Sequence, residues 1–211
     1  MATQTGEPEK KGRWGKQFDL LNVPIHASLL PTGKVLYWGR RWTFDPPDPT
    51  PTLARLIEQS MNQDATRPSI WDPPRAGEST SSTAKSIPTA TQPKDVRDAN
   101  VNPSCSGHGF QPDGSLLVVG GHLRDGEGVN QACVYSPYKD EWKAQPAINS
   151  GRWYPTALTL SDGSTLSISG SFLVNENSTG RHVTTNMQPQ ILRDKSWVNI
   201  EAPPSLINYI P

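Results

Sequence analysis

Two stretches of eighteen residues decide how this chain folds: CSGHGFQPDGSLLVVGGH, from Cys105 to His122, and YPTALTLSDGSTLSISGS, from Tyr154 to Ser171. Each reads as an apolar strand, an Asp-Gly turn, a second apolar strand and a closing glycine. Each begins nine residues before its turn glycine, Gly114 in the first and Gly163 in the second. A short loop with glycine in its last place between two β-rich runs is a hairpin signal. A third copy, HASLLPTGKVLYWGR from His26, carries its turn glycine at Gly33. Cys105 and Tyr154 are therefore counterparts in successive repeats. A common register predicts the thiol and the phenol side by side, at the same end of neighbouring units.

Outer strands follow the hairpins. QACVYSPYKDEWKA comes after Gly121, with Tyr135 and Trp142 seven apart, and PQILRDKSWVNI comes after Gly170. SIWDPP, from Ser69, is the matching piece of the first copy. A glycine-ended second strand followed by a spaced tyrosine and tryptophan is the kelch blade pattern, in which glycines permit close packing and aromatics wedge between blades. The fold class is therefore all-β, a kelch-type β-propeller. The turn glycines lie 81 and 49 residues apart. The second spacing matches the roughly 50 residues of a kelch unit, and the first contains an insertion over 43–103. Within that insertion, 52–63 reads as a short helix and 77–93 as a low-complexity loop. The expected organisation is a disordered 1–11, then a partial propeller over 12–211. Its blades are about 20–75, 104–148 and 152–203, and a fourth begins at 207–211. Three blades cannot close a ring of about 4–8, so the chain is expected to be part of a longer protein or of an assembly.

Bulk composition narrows the function. Twenty basic and twenty acidic residues among 211 cancel, which removes the electrostatic case for nucleic acid or an anionic membrane. No apolar run approaches the roughly 18 residues of a membrane-spanning helix. The N-terminus, MATQTGEPEKKGRWGK, is polar and shows no secretory leader. Two cysteines make no disulfide framework. No nucleophile elbow, phosphate-cradling loop or dinucleotide fingerprint is present. The four histidines, His26, His108, His122 and His182, have no local metal-ligand spacing and read as surface or strand-end residues. Taken alone, Cys105 reads as a small buried hydrophobe, with a disulfide to Cys133 as the lesser alternative, and Tyr154 as a wedge between strands.

The segments around Cys105 and around Arg152-Trp153-Tyr154, with GRWGKQFDLLNVPIHASLLPTGKVLYWGR from Gly12, resemble the radical-copper oxidases, the family of galactose oxidase and glyoxal oxidase. The likeness covers about 12–42 and 100–211. It implies a seven-bladed propeller in which Cys105 and Tyr154 form a thioether-linked pair, the Cys-Tyr radical cofactor. It also implies that the Tyr154 oxygen is a copper ligand. The implied reaction oxidises a primary alcohol or aldehyde and reduces O2 to H2O2. Copper accepts phenolate and imidazole ligands in a tetragonal site. The family stacks a tryptophan over the linked pair, and the corresponding position here is Phe172. That favours a glyoxal oxidase-like substrate over galactose.

The family's axial tyrosine, its neighbouring histidine and a later histidine have no counterparts in this sequence. The resemblance thus implies a truncated N-terminal portion that is inactive alone. It also implies secretion, which the polar N-terminus does not support, so localisation is left open. The alternative is a kelch interaction module that binds a protein partner through its loops and uses the thiol and phenol only for packing.

Overall fold

The computed structural model describes residues 20, 23–39, 68–73, 102–177, 180–202 and 205. The expected disordered N-terminus, the helix at 52–63, the loop at 77–93 and the strand start at 207–211 lie outside the described residues, as does most of 43–103. The regular elements named among the described residues are strands, joined by turns and loops. None of their elements is a helix long and apolar enough to cross a membrane.

Fifteen strands follow in order. The first repeat gives β1 (His26–Leu29), β2 (Val35–Trp38) and β3 (Ser69–Trp71). The second gives β4 (Gly107–Phe110), β5 (Leu116–Val119), β6 (His122–Arg124), β7 (Glu127–Gly128), β8 (Ala132–Ser136) and β9 (Glu141–Gln145). The third gives β10 (Thr156–Thr159), β11 (Thr165–Ile168), β12 (Ser171–Asn177), β13 (Gly180–Thr185), β14 (Gln190–Arg193) and β15 (Ser196–Asn199). They make three antiparallel sheets, β1-β2-β3, β4-β5-β8-β9 and β10-β11-β14-β15, none of them closed, with two separate hairpins, β6-β7 and β12-β13. This is a partial β-propeller of three successive blades.

The three turns are built alike. In each, the glycine N–H donates to the carbonyl three residues back, Gly33 to Leu30, Gly114 to Gln111 and Gly163 to Leu160, at 2.9, 2.9 and 3.0 Å. The glycines have φ of 80, 81 and 83°, the left-handed region that glycine occupies without steric cost. Registers coincide in consequence: His26 faces Trp38, Gly107 faces Val119 and Thr156 faces Ile168 across the innermost strand pairs.

β5 explains how the blades stack. Its four residues, Leu116-Leu117-Val118-Val119, are all fully buried, because both faces of the sheet are covered. Leu116 and Val118 pack with Leu36, Trp38, Tyr135 and Trp142, and Leu117 and Val119 with Ile148 and Leu192. Each such side chain contributes roughly 1.5–3 kcal/mol of transfer free energy. The wedge inferred from sequence is visible: Tyr135 and Trp142 pair across β8 and β9 with ring centroids 5.1 Å apart. Trp142 in turn meets Trp38 of the first blade edge-on at 6.5 Å.

The hairpins β6-β7 and β12-β13 were not anticipated. In sequence, the residues after Gly121 and Gly170 lead on to the third strand of the blade, and the hairpins come between. Asp125-Gly126 was the available signal, since Gly126 has φ of 81°, but HLRDGEG is too short and polar to show strand periodicity. Both hairpins leave the sheet where the second strand ends. There Gly120 and Ser169 occupy equivalent positions, with φ of 68 and 65°.

Candidate functional site

Three blades converge on one end of the inner strands. Cys105 stands two residues before β4 and Tyr154 two residues before β10. Both have left-handed backbones, φ 57 and 56°, which are uncommon for residues carrying a Cβ. Such conformations cost on the order of 1–3 kcal/mol and persist where surrounding structure enforces them. The two backbones are joined directly, the Tyr154 N–H donating to the Cys105 carbonyl at 2.6 Å.

Glycines allow this approach. A Cβ on Gly107 would lie 2.5 Å from the Pro155 carbonyl oxygen, so only a bare strand lets β10 lie so close to β4. Arg152-Trp153 is threaded through a slot with similar walls. A Cβ on Gly128 would lie 2.0 Å from the Arg152 carbonyl carbon, one on Gly120 2.3 Å from the Arg152 oxygen, and one on Gly170 2.8 Å from the Arg152 Cβ. The Arg152 side chain is fully buried. Its Nη1 donates to the Ser169 carbonyl at 2.7 Å, and its Nη2 to the Gln188 carbonyl at 2.5 Å. Burial lowers its pKa to about 10, so it remains charged at neutral pH and ties the second-strand end of the third blade to the approach to β14.

Exposure separates the two candidate residues. The Cys105 thiol is buried, with the Ser104 hydroxyl 3.7 Å from Sγ, whereas Tyr154 is 49 % exposed. Trp153 meets the Tyr154 ring edge-on at 4.7 Å, and its Nε1 donates to His122 Nδ1 at 3.3 Å. Phe172 is half-buried at the start of β12, its Cβ 3.5 Å from where a Cβ on Gly151 would stand. Cys105 and Cys133 are both free and buried, which removes the disulfide alternative. Burial raises the Cys133 pKa strongly, as suits an inert core thiol.

The histidines depart from expectation. His26 and His122 do stand at strand starts, but both are buried. His26 Nε2 accepts the Cys105 N–H at 3.1 Å. Its ring stacks on Trp38 at 5.2 Å and 17° and faces Tyr154 at 6.3 Å and 27°. His108 closes the cluster edge-on, 5.5 Å from His26, with the Ser28 hydroxyl 3.3 Å from its Nδ1. Burial, and then the neighbouring His108, lower the His26 pKa to about 4. Burial also lowers that of His108. The signal missed in the sequence was that His26 falls at the strand start facing Trp38, beside the repeat position of Cys105.

Known proteins resemble the chain in sequence and in fold. Over 162 residues the chain is 28 % identical to two proteins described as galactose oxidase, one from Gibberella zeae strain PH-1 and one from Gibberella zeae. These likenesses support a copper-radical oxidase family. The match covers 76 % of this chain, and the chain spans 19 % of the length of those oxidases. In fold, the chain is like a solved structure described as a novel fungal alcohol oxidase with catalytic diversity among the AA5 family, in complex with copper. That superposition has a TM-score of 0.54 and 18 % identity, and covers 88 % of this chain and 32 % of that one. No protein-family model matches the chain.

The donor atoms present fit a copper-radical oxidase site only in part. Tyr154 offers a phenol on a residue that is half exposed. His26 Nε2 and His122 Nδ1 already accept hydrogen bonds, and His108 Nδ1 lies within hydrogen-bond distance of a hydroxyl. Among the described residues no three His, Cys, Asp or Glu side chains form a group able to hold a metal ion. Among the described residues, Tyr154 is a candidate copper ligand without a full set around it.

Proposed function

We propose that this chain forms part of a copper-radical oxidase in which Cys105 and Tyr154 become a covalently linked pair. The observation that carries the proposal is their matched backbone: two non-glycine residues at one repeat position, both left-handed and joined by a hydrogen bond. The relationship to galactose oxidase supports it. Forming the link removes the Cys105 S–H and one Tyr154 ring C–H and makes a C–S bond. The two electrons and two protons pass to O2, giving H2O2.

Copper would be held by Tyr154 with further ligands that the described residues do not supply; it would take up one of the two electrons, and the oxidised Cys105–Tyr154 pair the other. A primary alcohol would leave as its aldehyde, or an aldehyde, after adding water to form its hydrate, as its acid; each loses two electrons and two protons, which reduce O2 to H2O2. The chain's own residues set the stage. Cys105 is shielded from water, Tyr154 faces outward, and Trp153 bounds the ring on one side.

The test is H2O2 production from a panel of small alcohols and aldehydes by the longest natural form of the protein, copper-loaded in air. Wild type is expected to be active, and C105S and Y154F to lose at least about a hundredfold in kcat. The 211-residue chain alone is expected to be silent. Unchanged activity in Y154F would refute the assignment, and silence of the longest form would favour a propeller that binds a protein partner.

A further inference from the structure

We infer that His26 is a positioning residue that locks Cys105 into its left-handed conformation and aims the thiol at Tyr154. The importance of that aim rests on the function proposed above, but the lock itself can be read separately. The short connection into β4 is held at successive backbone atoms. Trp38 Nε1 donates to the Pro103 carbonyl at 2.6 Å, and Asn102 Oδ1 accepts the Ser104 N–H at 3.2 Å. His26 Nε2 accepts the Cys105 N–H at 3.1 Å, and the Tyr154 N–H meets the Cys105 carbonyl.

Cys105 lies outside the β4–β5 ladder, which begins at Gly107, and its N–H donates instead to His26 Nε2. Buried backbone donors are seldom left unpaired, and a buried donor without an acceptor costs about 1–3 kcal/mol. The acceptor here comes from the first blade, in a ring held among aromatic neighbours. Trp38 stacks on it at 5.2 Å, and the Tyr154 ring lies 6.3 Å away at a tilt of 27°. For Nε2 to accept, the ring proton must sit on Nδ1. One side chain from blade one thus sets the φ of a blade-two residue beneath a blade-three phenol. A ring that only filled space would need no nitrogen at this position.

Two variants separate the acceptor from the ring. H26F keeps a flat ring for Trp38 and removes the acceptor, and H26Q keeps an acceptor and removes the ring. The readout is the rate of Cys105 alkylation by iodoacetamide in the folded 211-residue chain, with buried Cys133 as an internal control, together with exchange of the Cys105 amide proton. H26F is expected to raise both Cys105 rates about fivefold to tenfold, the change expected for loss of one buried hydrogen bond. Cys133 should be unmoved, and H26Q should stay within about twofold of wild type. Wild-type rates in H26F, or equal acceleration of Cys133, would overturn the inference. So would a H26Q protein as reactive as H26F.

In the longest copper-loaded form, H26F should also slow thioether formation by a similar factor, and H26Q should restore it. A wild-type protein whose Cys105 never links would sink the oxidase reading, while the alkylation and exchange rates would still decide whether His26 is the lock.

Discussion

Acid should loosen this fold through His26. Its ring is 7 % exposed, packed between aromatic neighbours and next to a second histidine. Its pKa falls from the ordinary 6.5 to about 4 in the folded chain. The unfolded chain therefore binds a proton between these values while the native chain refuses it. Stability is then fully present above pH 6.5 and is lost as the pH falls towards 4. With those two values the loss is about 2 kcal/mol between pH 7 and pH 5, and about 3 kcal/mol once pH 4 is reached. His108 shifts in the same direction, so a variant is needed to isolate His26. Glutamine cannot take up the proton, so the stability of H26Q should fall less steeply by that amount. Urea unfolding of metal-free protein at pH 7, 6 and 5 would measure it by tryptophan fluorescence, since Trp38 and Trp142 are buried. Parallel pH profiles for wild type and H26Q would refute the reasoning.

Other substitutions probe the slot that carries Tyr154. Gly128→Ala would set a methyl 2.0 Å from the Arg152 backbone and should destabilise by about 3 kcal/mol or more, seen as a lost or sharply lowered Tm. Arg152→Met removes a buried guanidinium that donates to two carbonyls, those of Ser169 and Gln188, and should cost about 3–5 kcal/mol by chemical denaturation. Ser169→Gly replaces a serine at φ 65° with the residue that the second blade uses there. It should stabilise by about 0.5–1 kcal/mol, and a lowered urea midpoint would count against the strain argument.

Much of the fold was legible because its signals are local. The three turn glycines, the LLVV run at β5 and the Tyr135–Trp142 pair each announce themselves within a few residues. The hairpins β6-β7 and β12-β13 were not legible, because their stability comes from neighbours such as Val174, whose carbonyl Arg124 reaches at 3.5 Å. The pairing of Cys105 with Tyr154 could be counted from the repeat. The left-handed backbone that both adopt could not, since it comes from three blades meeting. His26 was hidden for the same reason: its partner is a backbone N–H 79 positions away, which no spacing rule detects. The strand-ending glycines read in sequence as room for close packing, but not as the walls of a slot for Arg152, which Gly128 and Gly170 form.

The most direct test of the account is peptide mass spectrometry of the longest natural form after copper loading in air. The account predicts Cys105 and Tyr154 peptides joined, two hydrogens lighter than their sum and resistant to reductant. A Cys105 that remains free and alkylatable in copper-loaded protein would contradict it.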